Sequence, residues 1–219
     1  MRAREKRENE REEKIMGKRG DELREHMLYA AMEVFLEMGF KGASMDVIAA
    51  RAATSKRTLY AHFENKENLY LAVFELIREI SLSRLKMPGD YSQSPEEALV
   101  LFCGRVLECL LFVWTIRMCR LCMAEAERFP QGSARYFDVI FSTPHQRLSD
   151  YLKEKFDLSA KTSSQAAQQL LGRVIYPRFL RALFSLDELS EQLDDEAIRA
   201  DFDLEPVRQA VAELMKSLT

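Results

Sequence analysis

The stretch SMDVIAARAATSKRTLYAHFENKENLY, residues 44–70, decides the fold of this chain. Ser44 is a residue type that caps helices, because its hydroxyl oxygen accepts a backbone N–H of the first turn. It predicts a short helix from Met45 to Ala52. Three apolar residues at helical spacing predict the buried face of this helix: Val47, Ile48 and Ala52.

A second short helix is predicted from Ser55 to Phe63, after a tight connection at Ala53 and Thr54. Leu59 and Phe63 are four residues apart, so they share one face and are expected to point inward. The free face then carries basic and hydroxyl side chains, namely Lys56, Arg57, Thr58 and Tyr60. Two short helices joined by a turn, the second one basic, indicate a helix-turn-helix.

The charge of this segment differs from that of the chain. Between Arg51 and Lys66 there are four basic residues against Glu64 alone, which is a net charge of +3, whereas the whole chain carries −3. A local basic patch is what a duplex-binding surface needs, because phosphate contacts supply most non-specific affinity. The alternative interpretation is a solvated face of an ordinary small helix.

The motif TSKRTLYAHFENKENLY resembles the signature of the TetR (tetracycline-repressor-like) family of bacterial regulators. That signature is Ser-Lys-x-Thr-Leu-Tyr-x-x-Phe followed by Lys-Glu-x-Leu, and the matching residues are Ser55, Lys56, Thr58, Leu59, Tyr60, Phe63, Lys66, Glu67 and Leu69. The upstream segment AAMEVFLEMGFKGASMDVIAARAA extends the resemblance, so that residues 24–74 match in total. The chain departs from the family in the turn, where Ala53 replaces the usual Gly; an altered or strained turn is therefore expected.

The resemblance implies DNA-binding roles for individual residues. Lys56, Arg57 and Thr58 are expected to reach base edges or phosphates, and Arg57 is suited to reading guanine. Phosphate contacts are implied for Tyr60 and Lys66, with the helix start at Ser44 assisting. The complete implied set is Ser44, Ser55, Lys56, Arg57, Thr58, Tyr60, His62 and Lys66. The implied partner is a palindromic, or nearly palindromic, double-stranded operator.

Composition predicts an all-α protein. Among the 219 residues, 47% are hydrophobic, Pro and Gly are few, and strand-like alternation is nearly absent. Together with the resemblance, this predicts a charged tail at 1–20, a three-helix DNA-binding domain at 21–65 and a larger helical effector-binding and dimerisation domain at 66–219. The sequence shows neither an apolar stretch of membrane-spanning length nor a secretory signal, so we expect a cytoplasmic protein with reduced thiols.

The first 42 residues predict a tail and one helix. Eight Lys or Arg and five Glu lie between Arg2 and Arg19, which fits either a frayed tail or a basic arm that follows DNA. An apolar stripe predicts a helix from Asp21 to Met38 that Gly39 ends. The expected core of this domain is Val34, Phe35, Phe40, Val47, Ile48, Leu59 and Phe63.

The second domain is predicted to be a set of helices. Their expected bounds are Lys66 to Leu85, Ser94 to Phe129 with a break within 112–115, Ser133 to Phe156 with a kink at Pro144, Thr162 to Leu186 with a kink at Pro177, and Glu205 to Leu218. Residues 187–203 contain eight Asp or Glu and one Arg, which predicts an exposed connection. Residues 114–156 resemble the C-terminal domain of one TetR subgroup.

The last two predicted helices carry apolar stripes that need partners. In TetR-like proteins such helices pair with their symmetry mates, which implies a homodimer; packing within one chain is the alternative. The candidate interface residues are Leu171, Ile175, Phe179, Leu183, Val207, Val211, Leu214 and Leu218.

The segment from Leu99 to Phe184 is rich in aromatic residues and Met, and TetR-like proteins bind small effectors in this domain. A largely apolar cavity is the expected site; ordinary core packing is the alternative for each residue. The candidate lining residues are Trp114, Met118, Cys122, Phe137, Phe141, Tyr176 and Phe179.

Cys119 and Cys122 have the Cys-x-x-Cys spacing of redox and metal sites, but buried structural thiols are the simpler interpretation. A zinc site would need further ligands that the sequence does not single out. We predict no metal, no cofactor and no enzymatic activity, because no nucleophile-and-base constellation or phosphate-binding glycine loop is present. The predicted function is a ligand-responsive transcriptional regulator, most simply a repressor; a redox-sensing regulator that uses Cys119 and Cys122 is the alternative.

Overall fold

The computed structural model describes residues 2–194 and 196–218, and within them the side chains from residue 20 onward. The described residues contain helices and no strand, so the all-α prediction is confirmed. The helices are α1 (Arg2–Gly42), α2 (Met45–Arg51), α3 (Lys56–Phe63), α4 (Lys66–Arg84), α5 (Pro95–Leu111), α6 (Val113–Ala124), α7 (Pro130–Phe137), α8 (Thr143–Lys155), α9 (Ala160–Ile175), α10 (Arg178–Leu183) and α11 (Glu205–Leu218). In this part of the chain, every helix is too short or too polar to span a bilayer.

The chain forms two compact units, one up to Ile77 and one from Arg78. The backbone of α1 begins at Arg2, but the side chains of residues 1–19 lie outside the described residues. Both interpretations of this segment, a frayed tail and a basic arm that follows DNA, therefore stay predictions. Gly39 interrupts α1 with a φ of 68°, a conformation that glycine adopts without a Cβ clash, as the sequence predicts.

The core of the first unit contains most of the predicted residues. Val34, Phe35, Phe40, Ile48 and Leu59 are fully buried, and Phe63 is nearly so. Val47 is predicted to belong to this core, but its side chain is 37% exposed, so that prediction is wrong. The buried face of α2 is instead spaced i, i+3, i+4 and i+7, and it consists of Met45, Ile48, Ala49 and Ala52.

Aromatic rings fix the start of α4 against α1. The Tyr70 ring stands edge-on to Phe35, Phe40 and Phe74, with 5.0 Å between centroids in each pair. Edge-to-face pairs contribute about 0.5–1.5 kcal/mol beyond their buried area. The helix-turn-helix is thereby mounted on a rigid support.

Helix α5 lies at the centre of the second unit, where it packs against α6, α9, α10 and α11. The predicted break near residue 112 is confirmed, since Phe112 is extended between α5 and α6. The helix predicted at Ser133 begins at Pro130. A π-helical segment, Asp138–Ser142, precedes Pro144 and absorbs the kink predicted there.

The prediction of a single helix from Thr162 to Leu186 is wrong, because two helices, α9 and α10, occupy this segment. Tyr176 is extended, with φ −85° and ψ 137°, since the residue before a proline is disfavoured in the helical region. Pro177 therefore ends a helix here rather than bending one.

The acidic connection, residues 187–203, is exposed or half-buried in its described residues, as predicted, but two buried charged residues of α5 bind its backbone. Arg105 and Glu108 of α5, exposed by 0% and 1%, hold its backbone. The Arg105 guanidinium donates to the carbonyls of Asp194 (2.5 Å) and Ala197 (2.9 Å) and to Glu108 (2.9 Å). Glu108 in turn accepts the backbone N–H of Arg199 at 3.0 Å. We call residues 187–203 the strap.

Candidate DNA-binding site

The turn between α2 and α3 closes around Ala53. Its φ is 46°, and two hydrogen bonds cap α2: Ala53 N–H donates to the Ala50 carbonyl at 3.2 Å, and Thr54 N–H to the Ala49 carbonyl at 3.0 Å. This is the Schellman pattern, whose left-handed position glycine usually occupies. The predicted strain at Ala53 is therefore present, while the turn keeps its hydrogen bonds.

Serine hydroxyls cap both helices of the motif. Ser44 Oγ accepts the Val47 N–H at 3.2 Å, and Ser55 Oγ accepts the Thr58 N–H at 3.0 Å. Ser55 Oγ is also 2.8 Å from the Thr58 hydroxyl oxygen. These three hydroxyl groups thus shape the helix starts, and α3 begins with its N–H groups ordered.

Helix α3 presents the predicted face to solvent. Leu59 and Phe63 anchor the helix in the core, whereas Tyr60 is 41% exposed. Lys56, Arg57 and His62 are exposed as well, and Thr58 is half-buried. One short helix thus carries five of the eight implied DNA-contacting residues, namely Lys56, Arg57, Thr58, Tyr60 and His62.

Carboxylates from elsewhere in the first unit neutralise two of the basic groups. Lys56 Nζ lies 2.8 Å from an Asp46 carboxylate oxygen, which raises the pKa of Lys56. Arg51 binds Glu33 at 3.1 Å and Glu37 at 2.8 Å. Because these carboxylates come from α1 and α2, the +3 counted along the segment overstates the charge of the folded surface.

Lys66 is held by backbone rather than left free. Its ammonium donates to the carbonyls of Phe40 and Ala43, both at 2.8 Å, and lies 4.4 Å from the centroid of the Phe40 ring. These contacts satisfy carbonyls at the end of α1, so Lys66 stabilises the domain. A phosphate contact of its third N–H stays a prediction.

Arg57 differs from the other three basic groups. It is exposed, and no hydrogen bond or ion pair joins its guanidinium to another residue of the described part of the chain. An unengaged guanidinium at the first turn of α3 has the fork geometry that matches the acceptor edge of guanine.

In the second unit, an apolar groove of about 370 Å³ lies among the π-helical segment, α8, α9 and α10. Of the candidate effector residues, Phe141, Tyr176 and Phe179 line it, and the Phe137 ring packs at a tilt against Phe141, with 5.0 Å between centroids. The candidate interface residues Leu171 and Ile175 line the same groove. Met118 and Cys122 are instead buried in α6, and Trp114 is half-buried there.

Two candidate interface residues are fully buried within a single chain. Val207 and Val211 are exposed by 1% and 0% within a single chain, because α11 packs its apolar stripe against α5 and α9. Leu171 and Phe179 are also mostly buried, whereas Ile175, Leu183, Leu214 and Leu218 are half-buried.

The sequence does not predict that Leu180 and Phe184 reach solvent, nor that the candidate effector residues Phe137 and Tyr176 do. Phe184 is 75% exposed, Leu180 42% and Tyr176 64%, and Phe137 is 56% exposed. We call these four residues the apolar face. Pro177 is the sequence feature that could have predicted the apolar face, because a helix break at Pro177 changes the direction of α10 and exposes Leu180 and Phe184.

The four cysteines are free thiols in apolar surroundings. Burial raises the pKa of Cys103 and Cys119 to about 12 and that of Cys109 to about 11, and it also raises the pKa of Cys122. Such thiols carry almost no reactive thiolate at neutral pH. The described residues contain no group of three or more His, Cys, Asp or Glu placed to hold a metal ion.

Two family models match the chain. The model of bacterial regulatory proteins of the tetR family matches residues 27–73, and that of the AefR-like transcriptional repressor C-terminal domain matches residues 97–204. The second match confirms the resemblance of residues 114–156 to one TetR subgroup.

Curated relatives agree with the family models. The transcriptional activator FasR of Mycolicibacterium smegmatis is 53% identical over 55 residues, 25% of each protein. The repressor NicS of Pseudomonas putida is 30% identical over 101 residues, 46% of this chain and 44% of NicS. The regulator YhgD of Bacillus subtilis is 24% identical over 83% of this chain and 93% of its own length. The chain thus spans a quarter of FasR and less than half of NicS.

Solved structures show the same fold. A TetR-family regulator from Mesorhizobium loti superposes with a TM-score of 0.71 at 20% identity, covering 91% of this chain and 96% of its own. The flavonoid-responsive regulator FrrA superposes with a TM-score of 0.67 at 26% identity, covering 90% and 95%. With its helix-turn-helix and both family models in place, this chain belongs to the TetR family of DNA-binding transcriptional regulators.

Proposed function

We propose that the protein is a homodimeric repressor that binds a palindromic operator through α3 and leaves it when a small, largely apolar effector binds. The observation that carries this proposal is the exposed face of α3, with Arg57 unengaged at its first turn on a fully capped helix-turn-helix. The contribution of each group follows from that geometry.

On DNA, α3 enters the major groove with its N-terminal residues towards the bases. Arg57 donates two hydrogen bonds to a guanine, and Thr58 lies one residue further along the first turn. Tyr60 contacts a phosphate through its exposed hydroxyl, and the helix start at Ser44 directs backbone N–H groups at the sugar-phosphate chain. In a dimer, two copies of α3 spaced by about 34–36 Å, or a multiple, read the two half-sites.

The apolar face supports the dimer. Large side chains exposed this far, including Phe184 and Tyr176, lose their contact with water when a second copy covers them. Ring contacts continue the face into the groove, because Phe137 touches Phe141 and Phe141 lies 5.6 Å from Phe179. A second copy that covers the face would also close the open side of the groove.

The groove supports the effector site. Its volume of about 370 Å³ falls in the range of small-molecule sites, and apolar residues line most of it, with Gln168 and His145 as polar groups. The similarity to the flavonoid-responsive FrrA makes flat aromatic compounds the first ligand class to test. The AefR-like repressor domain and the similarity to NicS favour repression.

The redox alternative has less support. Cys119 and Cys122 are buried, and their raised pKa values disfavour the thiolate that oxidation requires. We therefore place control in ligand binding rather than in thiol oxidation.

The proposal is tested by selecting duplexes from a random pool with purified protein. The expected product is a palindrome whose half-sites contain guanine, and its affinity should fall as salt rises. Arg57→Ala should select a different or relaxed motif. Failure of the wild-type protein to enrich any sequence would refute the proposal.

A further inference from the structure

The first turns of α2 and α3 are joined by an ion pair at the solvent boundary. Asp46 is the second residue of α2 and Lys56 the first of α3, and the ammonium lies 2.8 Å and 3.0 Å from the two carboxylate oxygens. Both side chains are exposed, by 68% for Asp46 and 53% for Lys56. The pair therefore occupies the surface from which α3 approaches a duplex.

We propose that Asp46 is an affinity-determining residue that competes with DNA phosphates for Lys56 and so weakens binding to duplex of any sequence. The inference rests on duplex binding through α3. An exposed ion pair is weak because both charges stay solvated and screened, so a DNA phosphate can compete with the Asp46 carboxylate for the lysine. On a mixed-sequence duplex, where no phosphate is held in the best position, Lys56 stays with Asp46.

The other basic groups of the surface support this inference. Arg51 is bound by Glu33 and Glu37, and Lys66 by two backbone carbonyls. Arg57 is the one member of this set of four that no described residue engages. Affinity for DNA that lacks the operator is then lower than the number of basic residues suggests, and Asp46 is the group whose removal frees one charge without disturbing the core.

The experiment measures affinity for a mixed-sequence duplex of fixed length over a range of salt concentrations. Wild-type protein, Asp46→Asn, Lys56→Met and the double variant are compared by fluorescence anisotropy. Asp46→Asn should tighten binding about three- to fivefold and steepen the log–log salt dependence by about 0.9, the value of one phosphate contact. Lys56→Met should weaken binding in the wild-type background, because it leaves the Asp46 carboxylate unpaired on the surface that faces the phosphates. In the double variant, Asp46→Asn should no longer steepen the salt dependence, because the lysine that it would free is absent.

The matched control is Glu64→Gln, which removes a carboxylate from the other end of α3, where Glu64 accepts a hydrogen bond from Asn68. Its effect should be smaller and the same with or without Lys56. Equal gains from Asp46→Asn in the presence and absence of Lys56 would overturn the inference, because Asp46 would then act only as a repelling charge. Weaker binding by Asp46→Asn would also overturn it, since Asp46 would then orient Lys56 towards DNA. If wild-type protein showed no salt-dependent duplex binding, the proposed function itself would fail.

Discussion

Ala53 holds a backbone conformation that costs an alanine free energy. Its φ of 46° puts the backbone of Ala53 in the left-handed region, which costs about 1–2 kcal/mol that a glycine avoids. The side chain is exposed, so removing its methyl group loses no buried contact. A glycine also gives the unfolded chain more conformational freedom, and this offsets about 0.5–1 kcal/mol of the stability gained by relieving the left-handed conformation.

Ala53→Gly is therefore expected to raise the free energy of unfolding by about 0.5–1 kcal/mol. The matched control is Ala50→Gly, also exposed but inside α2, which should lower the free energy of unfolding by about 1 kcal/mol. Urea denaturation followed by circular dichroism measures both changes. A loss of stability in both variants would show that the turn stores no strain.

Helix caps and buried side chains can be predicted from the sequence, whereas ion-pair partners cannot. The caps, the glycine at position 39 and the inward side chains Leu59 and Phe63 follow from local rules, and the structure has them in place. The ion partners do not, because Glu33 and Glu37 lie far from Arg51 in sequence. A charge count along one segment misses carboxylates that another helix brings to the same surface.

Among the elements, the strap depends on two buried charges in α5. Its carbonyls at Asp194 and Ala197 accept from Arg105, and Glu108 accepts the N–H of Arg199. The end of the strap fits closely too, since the Leu204 side chain beside it lies where a Cβ atom on Gly104 would be. Acidic composition predicts a solvated loop and gives no sign of a buried guanidinium that binds its backbone.

Glu108→Leu should lower the free energy of unfolding by about 3–5 kcal/mol, because Arg105 is left buried without its counter-charge. The double variant Arg105→Met, Glu108→Leu removes both charges and should be more stable than Glu108→Leu alone. Urea denaturation of the wild-type protein, Arg105→Met, Glu108→Leu and the double variant provides the comparison. If the double variant lost as much as the sum of the two single losses, the pair would not be coupled.

One residue of the groove between α8, α9 and α10 allows the proposed effector site to be tested by substitution. Gly172 lies in α9 and lines the groove, and a Cβ atom there would meet nothing within 4 Å. Gly172→Leu should therefore fold, gain helix propensity and fill part of the groove, whereas Gly172→Ala should fold and leave more of it open.

In a thermal-shift screen with flavonoids as probes, wild-type protein and Gly172→Ala should be stabilised by the same compounds. Gly172→Leu should lose that stabilisation while keeping its affinity for DNA. An unchanged ligand response in a folded Gly172→Leu protein would place the effector site elsewhere.

For the whole molecule, the all-α fold and the helix-turn-helix follow from hydrophobic periodicity and one specific motif. The proposed dimer surface does not follow from the sequence, because periodicity shows that α11 has an apolar face and does not show what covers that face. The structure covers Val207 and Val211 with the chain's own α5 and α9 and leaves Phe184 and Leu180 in solvent. Burial in one chain thus decides which of several apolar stripes is open to a partner.

Phe184→Glu should convert the proposed dimer to a monomer, because the side chain is 75% exposed in one chain and a buried unpaired carboxylate at an interface is costly. The control is Met87→Glu, which places the same charge on an exposed apolar position outside the apolar face. Sedimentation equilibrium at micromolar concentration should give a monomer for the first variant and a dimer for the second. A dimeric Phe184→Glu protein would show that another surface pairs.

The measurement that tests the central claim most directly is the affinity ratio between the selected operator and a scrambled duplex of equal length and composition, for wild-type protein, Arg57→Ala and Arg57→Lys at fixed salt. The wild-type protein should prefer the operator by at least about a thousandfold. Arg57→Ala should reduce that ratio by about 5- to 150-fold, equivalent to about 1–3 kcal/mol of base discrimination, and Arg57→Lys should recover the affinity for scrambled DNA but not the full ratio. A wild-type protein that binds both duplexes equally, or an Arg57→Ala variant whose ratio is unchanged, would contradict the assignment of α3 as the helix that reads the operator.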